Sequence, residues 1–246
     1  MNKQCVISLF LLAGVAVSSQ CEAAISMDRT RIIFNGDQKA LSINISNQNQ
    51  QLPYLAQAWI EDEKGNKINS PLTILPPVQR MEPGAKSQVK IQTLAGINTL
   101  PQDRESLFYF NLREIPPRSD KSNVLQLALQ TRVKLFYRPV GIIPKQESSS
   151  ATWQKELTLT KQGDSFKINN PTSYYITIIN ARANGSTIAN SSFKPIMVAP
   201  KSSMDLGSNK LGSSPMLTYV NDYGGRPTLY FSCNGSECKV TADKVE

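Results

Sequence analysis

The chain has 246 residues, a formal charge of +8 and no histidine. Its 40% hydrophobic and 19% charged residues are globular values, and the length suits one or two domains, each able to bury a core. The lack of His removes the usual catalytic triad and the commonest metal ligand. No Gly-x-Gly-x-x-Gly or Walker loop is present for a nucleotide, and Glu61, Asp62 and Glu63 sit in a turn-rich, solvated stretch. The chain therefore reads as a non-enzyme without metal or cofactor. Its cations are scattered rather than clustered, which argues against nucleic acid.

Lys3 precedes an apolar run over residues 6–17, and Cys21 and Ala23 put small residues at the −3 and −1 positions of a cleavage site. Residues 1–23 are predicted to be a secretory signal peptide, too short in its apolar run to span a bilayer. Processing removes one Lys and one Glu, leaving the charge unchanged, and also Cys5 and Cys21. The expected product begins at Ala24, outside the cytoplasm.

The mature chain then reads as short strands separated by turns. Residues 29–34 form a first strand before Asn35-Gly36-Asp37, residues 41–46 alternate as a second, and residues 53–60 form a third with Trp59 as a core aromatic. A turn at Lys64-Gly65-Asn66 follows, then strands near 72–75 and 87–93. Between these, Pro76-Pro77, with the option of a cis bond, and Glu82-Pro83-Gly84 impose turns. Residues 107–114 form the next strand. With the strand that follows, this makes about seven over some 115 residues, the spacing of an immunoglobulin-like sandwich.

Residues 123–139 stand apart. Leu125, Leu127 and Leu129 recur at period two, Gln126 and Gln130 lie between them, and a β-branched and aromatic run carries Arg132, Lys134 and Arg138 up to Pro139. A strand this long reaches roughly 50 Å, about three times the ordinary length, so part of it is expected to lack partners in its own sheet. Alternating leucines more often face their own core, and that alternative stands beside the first.

Residues 146–150 then read as a linker dividing an N-terminal domain, 24–143, from a C-terminal domain, 144–246. The second half is also expected to be an all-β sandwich, with strands over 152–160, 166–168 and 173–180. Turns fall at Gly163-Asp164, Asn184-Gly185, Ala199-Pro200, 221–225 and Asn234-Gly235. In an exported chain, Cys233 and Cys238 around Asn234-Gly235 are expected to form one disulfide clamping a hairpin. A zinc site would need more ligands, and a redox pair is more often Cys-x-x-Cys.

Met27-Asp28-Arg29-Thr30-Arg31, the stretch 51–59, Pro76-Pro77-Val78-Gln79-Arg80, the run 101–117 and Asn221-Asp222-Tyr223-Gly224-Gly225 resemble the periplasmic pilus (fimbrial) assembly chaperones over nearly the whole mature chain. The resemblance implies an all-β fold of two immunoglobulin-like β-sandwich domains in a boomerang arrangement. It implies a periplasmic chaperone that lends a strand to pilus subunits and delivers them to an outer-membrane usher. On this resemblance the lent strand is 124–138, with Leu125, Leu127 and Leu129 filling the subunit's groove. Arg31 and Lys134 hold the subunit's C-terminal carboxylate, Glu105, Arg138 and Asp222 form an interdomain ion network, and the short loop 115–123 belongs to the branch serving rod-like pili. Leu129 and Lys134 are five apart, on opposite faces of a regular strand, so a bulge or strong twist is needed between them if both serve one bound chain. An exposed apolar edge also encourages self-association of the free protein. The competing function is a structural or adhesive exported sandwich with no donated strand.

Overall fold

A computed structural model describes residues 24–120, 123–144, 153–163, 165–183, 193–207 and 211–244. The predicted signal peptide, the linker at 146–150, Asp164 and the Asn184-Gly185 turn lie outside these residues.

The first half contains ten strands among the described residues: β1 (Ile25–Met27), β2 (Arg31–Asn35), β3 (Ala40–Asn47), β4 (Tyr54–Glu61), β5 (Lys67–Ile68), β6 (Leu72–Leu75), β7 (Val78–Met81), β8 (Lys86–Thr93), β9 (Ser106–Ile115) and β10 (Gln130–Arg138). They form two sheets, β1-β3-β8-β6 and β2-β10-β9-β4-β5, with β7 pairing β4. Between the sheets lies one core, including Ile32, Phe34, Ile43, Ile60, Ile91, Phe110 and Leu135.

The seven-strand expectation missed β1, β5 and β7, which at two to four residues are too short for alternation to mark in the sequence. The peptide bonds before Pro71 and Pro76 are cis. Trp59 is also corrected. In β4 the buried residues are Ala56, Ala58 and Ile60, so alternation turns Trp59 outward. There its ring lies between Lys67 and Arg113, at 5.7 and 5.4 Å, and its indole N–H donates to Glu61 at 2.9 Å.

The second half contains β11 (Thr158–Gln162), β12 (Ser165–Asn170), β13 (Ile176–Ala183), β14 (Ile196–Val198), β15 (Ser202–Asp205), β16 (Pro215–Val220), β17 (Thr228–Asn234) and β18 (Glu237–Lys244). These are hydrogen-bonded as one eight-stranded sheet, β14-β13-β16-β17-β18-β11-β12-β15. Its two ends, β14 and β15, lie against each other, so the sheet wraps round a second core that includes Leu159, Phe166, Ile178, Leu217 and Leu229. The strand expected over 152–160 is shorter than predicted: Trp153–Glu156 is a 3-10 turn, and the strand begins at Thr158.

One device recurs in both halves. Asn47, at the end of β3, is buried and donates to the carbonyls of Leu52, Met81 and Glu82, while its own carbonyl accepts from the Asn49 amide. Asn170, at the end of β12, donates to the carbonyls of Tyr174 and Ala199 and accepts from Thr172. Each satisfies crossing loops that carry no ladder of their own.

The expected disulfide is present. Cys233 and Cys238 face each other across β17 and β18 and are bonded, with Gly235 at φ +62° in the turn between them. Replacing both by Ser should lower unfolding stability by about 2 kcal/mol, as expected for so short a loop. Urea denaturation of the double variant checks the value, and thiol titration of the native protein should find no thiol at these two positions.

Candidate functional site

The site grows from an unequal environment along β10. On one side β9 pairs with it from Gln130 opposite Arg113 to Tyr137 opposite Ser106, with no break in register. On the other side β2 runs parallel to it, but starts only at Arg31, opposite Lys134. Among the described residues no strand fills the lane beside Gln130, Thr131, Arg132 and Val133.

Upstream, the Leu129 carbonyl still accepts from the Glu114 amide at 3.0 Å, and residues 124–129 then run outside any strand. The strand predicted over 123–139 is therefore paired only from Gln130. Leu125, Leu127 and Leu129 are 82%, 64% and 43% exposed. This excludes the reading in which they line their own core. Regular alternation places Leu129 on the face of Leu135, which is fully buried, so the apolar face of β10 runs on past the end of its own sandwich.

From Gln130 to Tyr137 β9 holds β10 in unbroken register, so no bulge separates Gln130 from Lys134. Lys134 faces the other way. Parallel pairing sets Arg31 beside it, and both reach Thr177 of β13: Lys134 Nζ at 3.2 Å from its hydroxyl and Arg31 Nη2 at 3.5 Å. Arg31 Nη1 also donates to the carbonyls of Val220 and Asn221, at 2.8 and 2.9 Å, and its guanidinium lies over the Phe136 ring. The turn receiving Arg31 fits closely: a Cβ on Gly224, at φ +85°, would come within 2.8 Å of the Thr30 hydroxyl. No carboxylate of the described residues forms an ion pair with either cation. Burial, then the neighbouring Arg31, pushes the Lys134 amine down, and burial pushes Arg31 down against the more distant Asp222 and Glu105. Two neighbouring part-buried cations, with the Lys134 amine pushed down by burial and by Arg31, make a place for an anion.

Further along β10, Arg138 and Glu105 are each 4% exposed. Arg138 donates to Glu105 Oε1 through Nε at 2.9 Å and Nη2 at 2.7 Å, and to Asp222 through Nη1 at 2.9 Å. The other oxygen of Glu105 accepts the Tyr175 amide at 2.8 Å. Burial pushes the Glu105 carboxyl up, against Arg138 and the Tyr175 amide; burial likewise opposes the Arg138 charge, yet Glu105 and Asp222 hold it above its usual value. Three donors on two oxygens favour the ionised pair. Glu105, Arg138 and Asp222 thus lie together, and their contacts join the two halves of the chain.

The structure adds partners that the sequence analysis did not find. Tyr174 lies under the Arg138 guanidinium at 4.9 Å, stacks on Trp153 at 4.5 Å and donates to the Ile142 carbonyl. The Tyr175 hydroxyl donates to Glu63, and Lys201 pairs with Asp103. The only signal in the sequence was the Tyr174-Tyr175 pair ahead of a strand, and it named no partner.

Two family models match: the N-terminal domain of the PapD pili and flagellar-assembly chaperones over residues 24–143, and the C-terminal domain of the PapD pili assembly chaperones over residues 152–231. The chain is a pilus assembly chaperone of the PapD family. It is 51% identical over 229 residues to the probable fimbrial chaperone YfcS of Escherichia coli K12, covering 93% of this chain and 90% of that one. It is 50% identical over 239 residues to the chaperone protein PapD of Escherichia coli, covering 97% and 96%. Among solved structures, the YadV chaperone superposes with a TM-score of 0.69 at 30% identity, over 86% of this chain and all of that one. The periplasmic chaperone SfaE superposes with a TM-score of 0.67 at 29% identity, over 84% and 98%. These relatives are chaperones and not enzymes.

In this chaperone the buried ion group should matter to stability more than its surface pairs. Glu105→Ala leaves Arg138 buried with one carboxylate partner and should cost about 3–5 kcal/mol, whereas breaking the exposed Lys201–Asp103 pair should leave unfolding stability nearly unchanged. Urea unfolding of Glu105→Ala and Lys201→Ala compares them directly.

Proposed function

We propose that this chaperone binds pilus subunits by lending them residues 124–138 as a strand, and that the empty lane beside β10 is where the subunit's last strand lies. The carrying observation is that β2 fills this lane only from Arg31 onward, while the leucine row before it is exposed. Strand addition of this kind draws affinity from main-chain hydrogen bonds and specificity from alternate side chains. Each leucine buried in a subunit groove would contribute about 1.5–3 kcal/mol.

The lane also sets direction. A guest strand in line with β2 must end against Arg31 and Lys134. An antiparallel guest would bring its N-terminal ammonium to two cations and be repelled; a parallel guest brings its carboxylate. The subunit's C-terminal strand therefore runs parallel to β10, with its end fixed by Arg31 as a fork and Lys134 as a point charge. Leucines and cations need not share a face, because the leucines meet side chains while the cations meet a chain end.

On this reading residues 1–23 direct export to the periplasm, 24–143 form the unit that lends the strand, and 144–246 complete the cleft. The loaded chaperone passes its subunit to an outer-membrane usher, and the free chaperone covers its apolar edge by self-association.

Leu127→Glu should fold normally, since Leu127 is exposed, yet fail to capture subunit, because a carboxylate cannot enter an apolar groove unpaired. Arg31→Ala or Lys134→Ala should weaken binding of a peptide copying the subunit's last strand by about tenfold or more each. Amidating that peptide's C-terminus should have a similar effect, and the Lys134 amine should titrate higher in the complex than in the free protein. Equal binding of free-acid, amidated and C-terminally extended peptides, measured by calorimetry, would rule out the anchor.

A further inference from the structure

Glu114 stands apart from every charge used above. It lies on β9 and is 6% exposed, and among the described residues no Lys or Arg forms an ion pair with it. Its Oε2 accepts the backbone amide of Ile25 at 2.9 Å. A buried carboxylate held by one neutral donor carries a desolvation cost that only a nearby cation offsets well.

The geometry around it supplies one. Ile25 is the second residue of the chain expected after processing, and Ala24 before it is 8% exposed. The Ala24 carbonyl accepts the Gln48 amide at 2.6 Å, and β1 pairs Ile25 with Asn47. Ala24 is thus pinned on one side by β3, while the amide that follows it is pinned to Glu114. The Ala24 nitrogen is the next backbone nitrogen before the Ile25 amide that Glu114 accepts, so a rotation of the Glu114 side chain brings its carboxylate to that nitrogen. In the uncut chain that nitrogen is a neutral amide; after cleavage it is an ammonium.

We propose that Glu114 is the counter-ion of the α-ammonium group that removal of residues 1–23 leaves on Ala24, so that processing adds a charge pair which the uncleaved chain cannot form. The proposal rests on the reading of residues 1–23 as a signal peptide. The peptide bond between Ala23 and Ala24 is hydrolysed, water supplying the new carboxyl and amino groups, and the amine is protonated near neutral pH. The pair also reaches the lent segment, because the Glu114 amide donates to Leu129, the last of the exposed leucines. Processing therefore completes the end of the sandwich from which the lent residues emerge, and a precursor still carrying its signal lacks that contribution.

The effect has a definite sign. A partner carboxylate raises the α-amino pKa in the folded state above its ordinary value of about 7.7–8.0. The added stability is then fully present below that ordinary value and is lost as pH rises through the raised one. Asn47 at the end of β3 and Gln48 just after it, which meet Ile25 and Ala24, do not titrate.

The test uses the processed protein from a periplasmic extract, with its first residue established by mass spectrometry. Carbon-13 reductive methylation of the α-amine followed by NMR should give a pKa at least one unit above the ordinary range, falling back into it in Glu114→Gln, which keeps an acceptor for Ile25. N-acetylation should lower the folding equilibrium constant about tenfold or more at pH 7 in the wild type and leave it unchanged in Glu114→Gln. An exported chain that begins elsewhere than Ala24 overturns the processing reading and the proposal with it. A chain that begins at Ala24 with an ordinary α-amino pKa overturns the Glu114 pairing alone.

Discussion

Among the described residues strand β10 has one neighbour before Lys134 and two from Lys134 onward, and the site is built on that inequality. Where β2 is present, β10 is buried, and Leu135 and Tyr137 complete the N-terminal core. Where β2 is missing, the backbone keeps unpaired donors and acceptors along one side, and the apolar side chains upstream have no core to enter. Isolated proteins usually blunt such an edge with charge, proline or a covering loop. Here the segment keeps three exposed leucines, which fits a strand held for another chain.

The buried ion group acts on the same lane from its far end. Arg138 closes β10 by binding Glu105, at the entry to β9, and Asp222, in the turn after β16. Buried charge groups of this kind add little net stability over an apolar equivalent, but they tolerate few alternative geometries. Here they set the two halves so that the Val220 and Asn221 carbonyls and the Thr177 hydroxyl meet Arg31 and Lys134. These partners hold the cations without neutralising them.

Both halves satisfy their loops in the same way, through a buried asparagine at a strand end, although their sequences show no repeat. Asn47 and Asn170 each collect carbonyls from loops that cross the end of a strand, a role available to a short side chain with two donors and an acceptor. Such a residue is invisible to pattern analysis, since its polarity suggests a surface loop while its environment is the interior.

The sequence by itself determined the all-β class, the main strands, the disulfide hairpin and the family, because these depend on local alternation, turn residues and long matching motifs. It also marked the leucine row, whose period of two needs no partner to be seen. Trp59 was placed inward on hydrophobicity alone, although the alternation of Ala56, Ala58 and Ile60 turns it out. Strands β5 and β7, of two and four residues, are too short for alternation to mark them. Only the tertiary structure decided that the leucines are exposed and that no bulge separates Gln130 from Lys134. It alone placed Thr177 beside Arg31 and Lys134, the Tyr175 amide on Glu105, and Glu114 on the Ile25 amide. The physical reason is the same for each: exposure, register and charge compensation belong to pairs of segments separated in the chain, and no single stretch carries that information.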